Sequence, residues 1–139
     1  MATDPTSEQY KKDEFRNLLT YGKKKEHCFV IREGQNLIGS TSIISSVIGL
    51  NDAYKVSAIS DFAIIPKYQS KGYGKKALLC IIEYIRKYMN NKDIGLGVAE
   101  SNSKAVSLYK SVGFKIVCNA NLSSNDRLIF GYQMLLNKN

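Results

Sequence analysis

One stretch of this chain, from Phe62 to Lys75 with the helical pattern that follows it to Met89, limits what the chain can fold into. An apolar, β-branched run over residues 57–65 stops at Pro66, which cannot donate to a strand ladder. After a glycine-containing turn, apolar residues recur at the spacing of one helix face, at Ala77, Leu78, Ile81, Ile82 and Ile85. The stretch therefore predicts a strand, a tight turn and the start of an amphipathic helix.

The turn predicts a binding site for an anion. A turn that enters a helix leaves backbone N–H groups without partners at the positive end of the helix dipole, where phosphate binds well. Gly72 and Gly74 allow a ligand to approach the backbone closely. Lys71, Lys75 and Lys76 add positive charge around the turn. The sequence thus favours a phosphorylated ligand at this point.

The turn fails one known phosphate-binding motif and satisfies another. The Walker pattern fails, since Lys76 follows Gly74-Lys75 where a serine or threonine must stand. Gly72, Gly74 and Ala77 satisfy the G-x-G-x-x-A pattern of dinucleotide-binding folds, although residues 66–69 separate that pattern from the preceding strand. A dinucleotide site therefore stays open as an alternative.

The charge balance favours an anionic partner. The chain has 20 Lys and Arg against 12 Asp and Glu, a net charge of +8. The basic residues are scattered, and the one run of three, Lys23 to Lys25, has no interleaved aromatic residues on which nucleic-acid bases could stack. We expect that run to be a solvated loop, and the pattern argues against a nucleic-acid partner.

Length and cysteine usage indicate one cytoplasmic domain over residues 1–139. The composition, 44% hydrophobic and 23% charged, is typical of a globular protein. No apolar run has the length of a membrane span and the start does not resemble a signal peptide, so we expect no membrane partner. Cys28, Cys80 and Cys118 lack C-x-x-C spacing, which favours reduced, buried thiols, and the one histidine, His27, supports no metal site.

The patterns along the chain predict a mixed sheet with helices packed on it, an α/β fold. The expected elements, in chain order, are a helix over 7–20, strands over 27–32, 36–45 and 54–65, a helix over 74–89, a strand over 94–99, a helix over 102–111 and strands over 114–119 and 128–136. We expect Gly34 to lie in the turn of the first hairpin and Gly113 to stop the last helix.

Two motifs, in this order and one strand apart, resemble the GCN5-related N-acetyltransferase (GNAT) family. Gln69-x-x-Gly72-x-Gly74, after Phe62-x-Ile64-x-Pro66, is similar to the acetyl-CoA motif of that family. Asn102-x-x-Ala105-x-x-Leu108-Tyr109-x-x-x-Gly113-Phe114 is similar to its second signature. The resemblance covers about residues 26–136, the family core, after a short N-terminal helical segment over residues 1–25.

The resemblance implies a GNAT-like, mostly antiparallel sheet with a splayed central strand pair and flanking helices. It also implies an acyltransferase that moves acetyl directly from acetyl-CoA to a primary amine of a small molecule, protein or peptide. The family opens with a strand and two helices, and no strand pattern stands before His27. We therefore expect the first strand to be absent, or supplied by the partner in a homodimer.

The resemblance also implies where the cofactor binds. The pantetheine arm would bond to backbone groups of Phe62 and Ile64, and the pyrophosphate to N–H groups from Gln69 to Gly74. The expected cofactor-binding residues are Phe62, Ala63, Ile64, Gln69, Ser70, Lys71, Gly72, Tyr73, Gly74, Lys75, Asn102 and Tyr109. Asn102 is by residue type also a good helix N-cap, and both roles can hold.

Tyr109 is the candidate general acid. When an amine attacks a thioester, the CoA thiolate must leave, and a nearby phenol can protonate it, although the same ring could merely pack between helix and sheet. Many relatives have an acidic residue where this chain has Ser60, so the neighbouring Asp61, directly or through water, is the candidate general base, and Glu100 is a weaker one. Placement of amine and thioester should supply much of the rate.

Two other functions stay open at this point. A chain with these motifs could bind CoA without catalysis and act through interaction, and the net charge of +8 allows an enzyme that acts on charged tRNA. The sequence does not identify the acceptor. Its positive charge disfavours a polycation such as a polyamine.

Overall fold

The computed structural model describes residues 27–48, 54–121 and 130–138. The elements in this part of the chain are β1 (His27–Glu33), β2 (Asn36–Ile48), β3 (Tyr54–Ile64), a 3₁₀ turn (Pro66–Tyr68), α1 (Tyr73–Tyr88), β4 (Ile94–Ala99), α2 (Ser103–Ser111), β5 (Lys115–Asn121) and β6 (Phe130–Leu136). These match the expected elements at closely similar bounds. The helix predicted over 7–20 and the loop at 23–25 lie outside the described residues.

The strands form a mixed sheet in the order β1-β2-β3-β4-β6-β5. The β1–β2, β4–β6 and β5–β6 ladders are antiparallel, and β3–β4 is parallel. The parallel ladder joins only Ser57 to Ile94 and Ala58 to Gly95, although β3 continues to Ile64. The fold class is therefore confirmed: a mixed, mostly antiparallel sheet whose central pair is joined over part of its length.

The chain falls into two compact units. The first unit contains β1, β2 as far as Ile44, β3 from Ile59, and α1. The second unit contains the remaining parts of β2 and β3 together with β4, α2, β5 and β6.

The first unit is built on the β1–β2 hairpin and α1. Gly34, with φ of 59°, stands in the loop that pairs Glu33 with Asn36, because such a tight turn needs a left-handed residue. The hairpin buries Ile31 and Ile38 against Ala77 of α1, with the partly buried side chains Phe62, Ile64, Tyr68 and Tyr73 packed on them. Burying each such aliphatic side chain contributes about 1.5–3 kcal/mol.

The buried face of α1 differs from the predicted one at two positions. Ala77, Leu78, Ile81 and Ile85 are buried as expected, but Tyr84 is buried and Ile82 only half-buried. The phenolic hydroxyl of Tyr84 lies 2.5 Å from Nδ1 of His27, so this tyrosine satisfies its polar atom inside the unit. Apolar spacing does not reveal such a partner.

In the second unit, Ser57 bonds to the segment before β4, and a glycine ends α2. Ser57 donates its hydroxyl to the carbonyl of Asn91 at 2.6 Å, and its N–H to the carbonyl of Asp93 at 2.9 Å. Gly113, with φ of 110°, ends α2 as predicted.

The three cysteines, all among the described residues, form no disulfide bond, as expected, but only Cys28 is buried, whereas Cys80 and Cys118 are half-buried. In the described ranges, no helix is long and apolar enough to cross a membrane.

Candidate functional site

The glycine turn before α1 directs a row of backbone N–H groups outward. Ser70 and Gly72 both have left-handed backbone, with φ of 62° and 88°. The N–H of Gln69 donates to the carbonyl of Pro66, and that of Lys76 to Gly72. Between them, within the described part of the chain, the N–H groups of residues 70–75 have no backbone acceptor.

The surroundings of these N–H groups suit an anion. The first turn of α1 has no acidic residue, and Lys71, Lys75 and Lys76 are all exposed around it. A Cβ atom at Gly72 would meet no described atom within 4 Å, so none of the described residues fills the space over Gly72. The sequence expectation included the Gln69 N–H in the anion site; because that group is bonded to Pro66, the N–H row begins at Ser70.

Two side chains hold the turn at its two ends. Gln69 donates its side-chain amide to the carbonyl of Ile64 at 2.8 Å, and the Tyr73 hydroxyl donates to Oε1 of Glu33 at 2.6 Å. The hydrogen bond from Tyr73 lowers the pKa of Glu33, and the charge of Lys76 acts in the same direction. Sequence reasoning missed Glu33, since it lies 40 residues from Tyr73 and no local pattern connects the two.

At the end of β3, successive residues direct their backbone N–H and C=O groups to opposite edges of the strand. A Cβ atom at Gly39 would lie 2.3 Å from the carbonyl oxygen of Ala63, and the N–H of Ile65 donates to the carbonyl of Ile38. Backbone groups of Ala63 therefore face β2, and those of Phe62 and Ile64 face the opposite edge, to which the β3–β4 ladder does not extend. The side chain of Ala63 is exposed, so Ala63 can contact a ligand through its side chain.

Asp61 lies at an irregular point of β3. Its φ of 55° is left-handed, which is uncommon for a residue with a side chain. The hydroxyl groups of Thr41 and Ser42 both donate to the carbonyl of Ser60 at 3.2 Å, so β2 is bonded to β3 directly before Asp61. The Asp61 side chain is exposed.

Tyr109 lies in the second unit and is buried, with 7% of its surface exposed. Burial raises its pKa to about 12, so the hydroxyl keeps its proton at neutral pH. Its ring lies 5.9 Å from that of Phe114, and its backbone carbonyl accepts the N–H groups of Val112 and Phe114. The helix end thus fixes Tyr109 at both its backbone and its ring.

The other candidates of the second unit lie at the start of α2. The side-chain oxygen of Asn102 accepts the N–H of Ala105 at 3.2 Å, so Asn102 is an N-cap. Glu100 is exposed, and its N–H donates to the carbonyl of Phe130.

Comparison with known proteins identifies relatives. Residues 1–114 match the Acetyltransferase (GNAT) family. The spermidine N(1)-acetyltransferase of Vibrio cholerae is 34% identical over 90 residues, which are 64% of this chain and 49% of that protein. The spermine/spermidine N(1)-acetyltransferase of Bacillus subtilis is 39% identical over 54 residues, 39% of this chain and 36% of that protein. This chain thus spans about half, or less, of the length of these relatives.

A solved structure supports the same relationship. The spermidine N-acetyltransferase of Vibrio cholerae in complex with CoA and spermine is 25% identical, with a TM-score of 0.67. The match covers 89% of this chain and 72% of that one.

Proposed function

The chain belongs to the GNAT acetyltransferase family, and from this premise we propose that it transfers the acetyl group of acetyl-CoA to a primary amine, with a polyamine as the first candidate acceptor. The observation that carries the proposal is the N–H row of residues 70–75, beside a space at Gly72 that none of the described residues fills. A helix N-terminus with that geometry, three lysines and no carboxylate in its first turn fits a pyrophosphate.

The exposed edge of β3 fits the amide-containing arm of CoA. Phe62 and Ile64 turn their backbone groups away from β2, where amide groups of an extended ligand can pair with them as a strand would. Because the Ile64 carbonyl already accepts the Gln69 side chain, we expect Phe62 to supply the accepting carbonyl and Ile64 a donating N–H.

Acetyl-CoA supplies the acetyl group as a thioester, and transfer forms a C–N bond and breaks the C–S bond. Tyr109 is proposed to give its phenolic proton to the leaving sulfur. A phenol whose pKa is about 12 is fully protonated at neutral pH, as an acid must be before it acts. Asn102, besides capping α2, is proposed to contact the cofactor.

Asp61 is proposed to accept a proton from the attacking amine, directly or through water. Its exposure and its left-handed backbone support this role, since uncommon backbone conformations occur often at active sites. Glu100 remains the weaker alternative for the base.

A polyamine acceptor is proposed from the names of the relatives. The net charge of +8 alone disfavours a polycation, but the Vibrio and Bacillus proteins are named as spermidine or spermine acetyltransferases. The repulsion from the net charge is long-ranged and is screened by salt. A single domain, a homodimer and a cytoplasmic location stay predictions.

Calorimetric titration of CoA and acetyl-CoA into wild type, Gly72→Ala and Gly72→Asp tests the cofactor site. Both variants strain the left-handed backbone, aspartate somewhat less than alanine, but only aspartate adds a negative charge beside the N–H row. We expect Gly72→Asp to bind CoA much more weakly than Gly72→Ala.

A thiol-release assay with spermidine, a peptide with a free N-terminus and a lysine peptide then tests transfer. Acetylation of spermidine is the expected result. Acetylation of only a peptide would overturn the polyamine proposal, and CoA binding without any transfer would favour the non-catalytic alternative. Failure of the wild type to bind CoA would overturn the whole proposal.

A further inference from the structure

We propose that the hydrogen bond from Tyr73 to Glu33 is a brace that holds the glycine turn in its binding geometry, so that both residues are positioning residues for CoA. This inference rests on the proposed function. It concerns a contact between Glu33 of the β1–β2 hairpin and Tyr73, the first residue of α1. Glu33 lies outside the cofactor motif.

The turn lacks the usual means of fixing a helix start. Gly72 occupies the N-cap position of α1 and makes no side-chain cap bond. Serine, threonine, aspartate or asparagine there would accept an N–H and hold the first turn. Two of the residues that lead into α1, Ser70 and Gly72, are also in left-handed backbone, which must be held by its surroundings.

Side chains on either side of the turn take over this task. Gln69 is bonded to the carbonyl of Ile64 on one side, and Tyr73 to Glu33 on the other. The turn is thereby tied to the strand before it and to the hairpin, and the left-handed residues lie between the two bonds.

Tyr73 is fixed along its whole length. Its ring packs on the cluster of Ile31, Ile38 and Ala77 and meets the Tyr68 ring edge-on at 6.2 Å between centroids. Its hydroxyl reaches a carboxylate at 2.6 Å, a short, charge-assisted hydrogen bond. Since the backbone N–H of Tyr73 belongs to the outward row, holding its side chain also holds the direction of that N–H.

The brace acts on binding because a preordered turn does not have to be ordered by the ligand. When a loop is flexible, part of the binding free energy is offset by the entropy lost as the ligand orders the loop. Loss of the brace should therefore weaken CoA binding while leaving the reacting groups of the second unit unchanged.

The test is calorimetric titration of CoA into Tyr73→Phe, Glu33→Ala, Glu33→Gln and the double variant Glu33→Ala/Tyr73→Phe. We expect Tyr73→Phe and Glu33→Ala each to weaken CoA roughly tenfold, as loss of a charge-assisted hydrogen bond would. Glu33→Gln keeps an accepting oxygen and should bind nearly as wild type does. The double variant should be no worse than either single one.

Tyr88→Phe is the matched control, because it removes an exposed phenolic hydroxyl from the other end of α1. Thermal unfolding of each variant without ligand shows whether the unit stays folded. The proposal would be contradicted if the losses of CoA affinity in the two single variants added up in the double variant. It would also be contradicted if both Glu33 variants bound CoA more tightly than wild type does. If wild type and Tyr73→Phe bind CoA equally well, the brace proposal is wrong and the proposed function is unaffected. If wild type binds no CoA, the proposed function itself is wrong.

Discussion

At the residue scale, Tyr109→Phe isolates the proposed acid, because it removes one hydroxyl and keeps the buried ring that packs near Phe114. Loss of a general acid lowers kcat by roughly 10²- to 10⁴-fold. We expect that loss in steady-state kinetics, with the Kd for CoA unchanged. Tyr132→Phe, which removes a phenolic hydroxyl from β6 of the same unit, is the control. Equal kcat values for wild type and Tyr109→Phe would exclude the role.

The pKa of the same phenol makes a second prediction. Burial raises the pKa of Tyr109 to about 12, above the value near 10 of a free tyrosine. The acid form is thus present through the usual assay range, and kcat should show no basic limb from Tyr109 up to about pH 10.

The raised pKa has a matching effect on stability. The folded state binds this proton more tightly than the unfolded state, so the contribution is complete below about pH 10 and is lost as pH rises towards about 12. A pH–rate profile and alkaline unfolding curves of wild type and Tyr109→Phe measure both effects. A basic limb near neutral pH that disappears in the variant would contradict this account.

At the element scale, Gly39→Ala tests how closely β2 and β3 must approach. The new Cβ would lie 2.3 Å from the Ala63 carbonyl oxygen, a backbone atom that cannot move aside alone. Such overpacking costs about 1–3 kcal/mol in the free energy of unfolding. We expect a lower unfolding temperature and weaker CoA binding, since the shift displaces the strand of Phe62 and Ile64.

Circular-dichroism melts and CoA titrations measure these effects. Asn36→Ala, an exposed change on the same strand, should alter the free energy of unfolding by less than about 0.5 kcal/mol. A Gly39→Ala protein as stable as the control would show that β2 and β3 adjust without cost.

Local patterns were sufficient for the elements and the glycine turn, but not for contacts between distant segments. The apolar run to Ile65, the glycines and the helical spacing predict β3, the turn and α1, because each depends on neighbouring residues. The bond between Glu33 and Tyr73 joins residues 40 positions apart, and Tyr84 is buried by its pairing with His27. The left-handed Asp61 follows a carbonyl to which two hydroxyl groups of β2 donate, and no pattern within β3 reveals these contacts.

At the scale of the whole molecule, the net charge of +8 predicts opposite salt effects on the two substrates. Salt raised from about 10 mM to about 150 mM shortens the Debye length from about 30 Å to about 8 Å. That screening weakens attraction for CoA, an anion, and repulsion of spermidine, a polycation. We expect the Kd for CoA to rise and the KM for spermidine to fall.

Titrations across this salt range measure the Kd for CoA, and initial rates measure the KM for spermidine. A monoamine acceptor is the control, because its smaller charge should make its KM less sensitive to salt. The alternative of a charged-tRNA acceptor predicts instead a steep loss of acceptor binding, since each phosphate contact releases counterions. A KM for spermidine that rises with salt would contradict the prediction. It would mean that carboxylates near the acceptor, with Asp61 as the first candidate, outweigh the field of the scattered lysines.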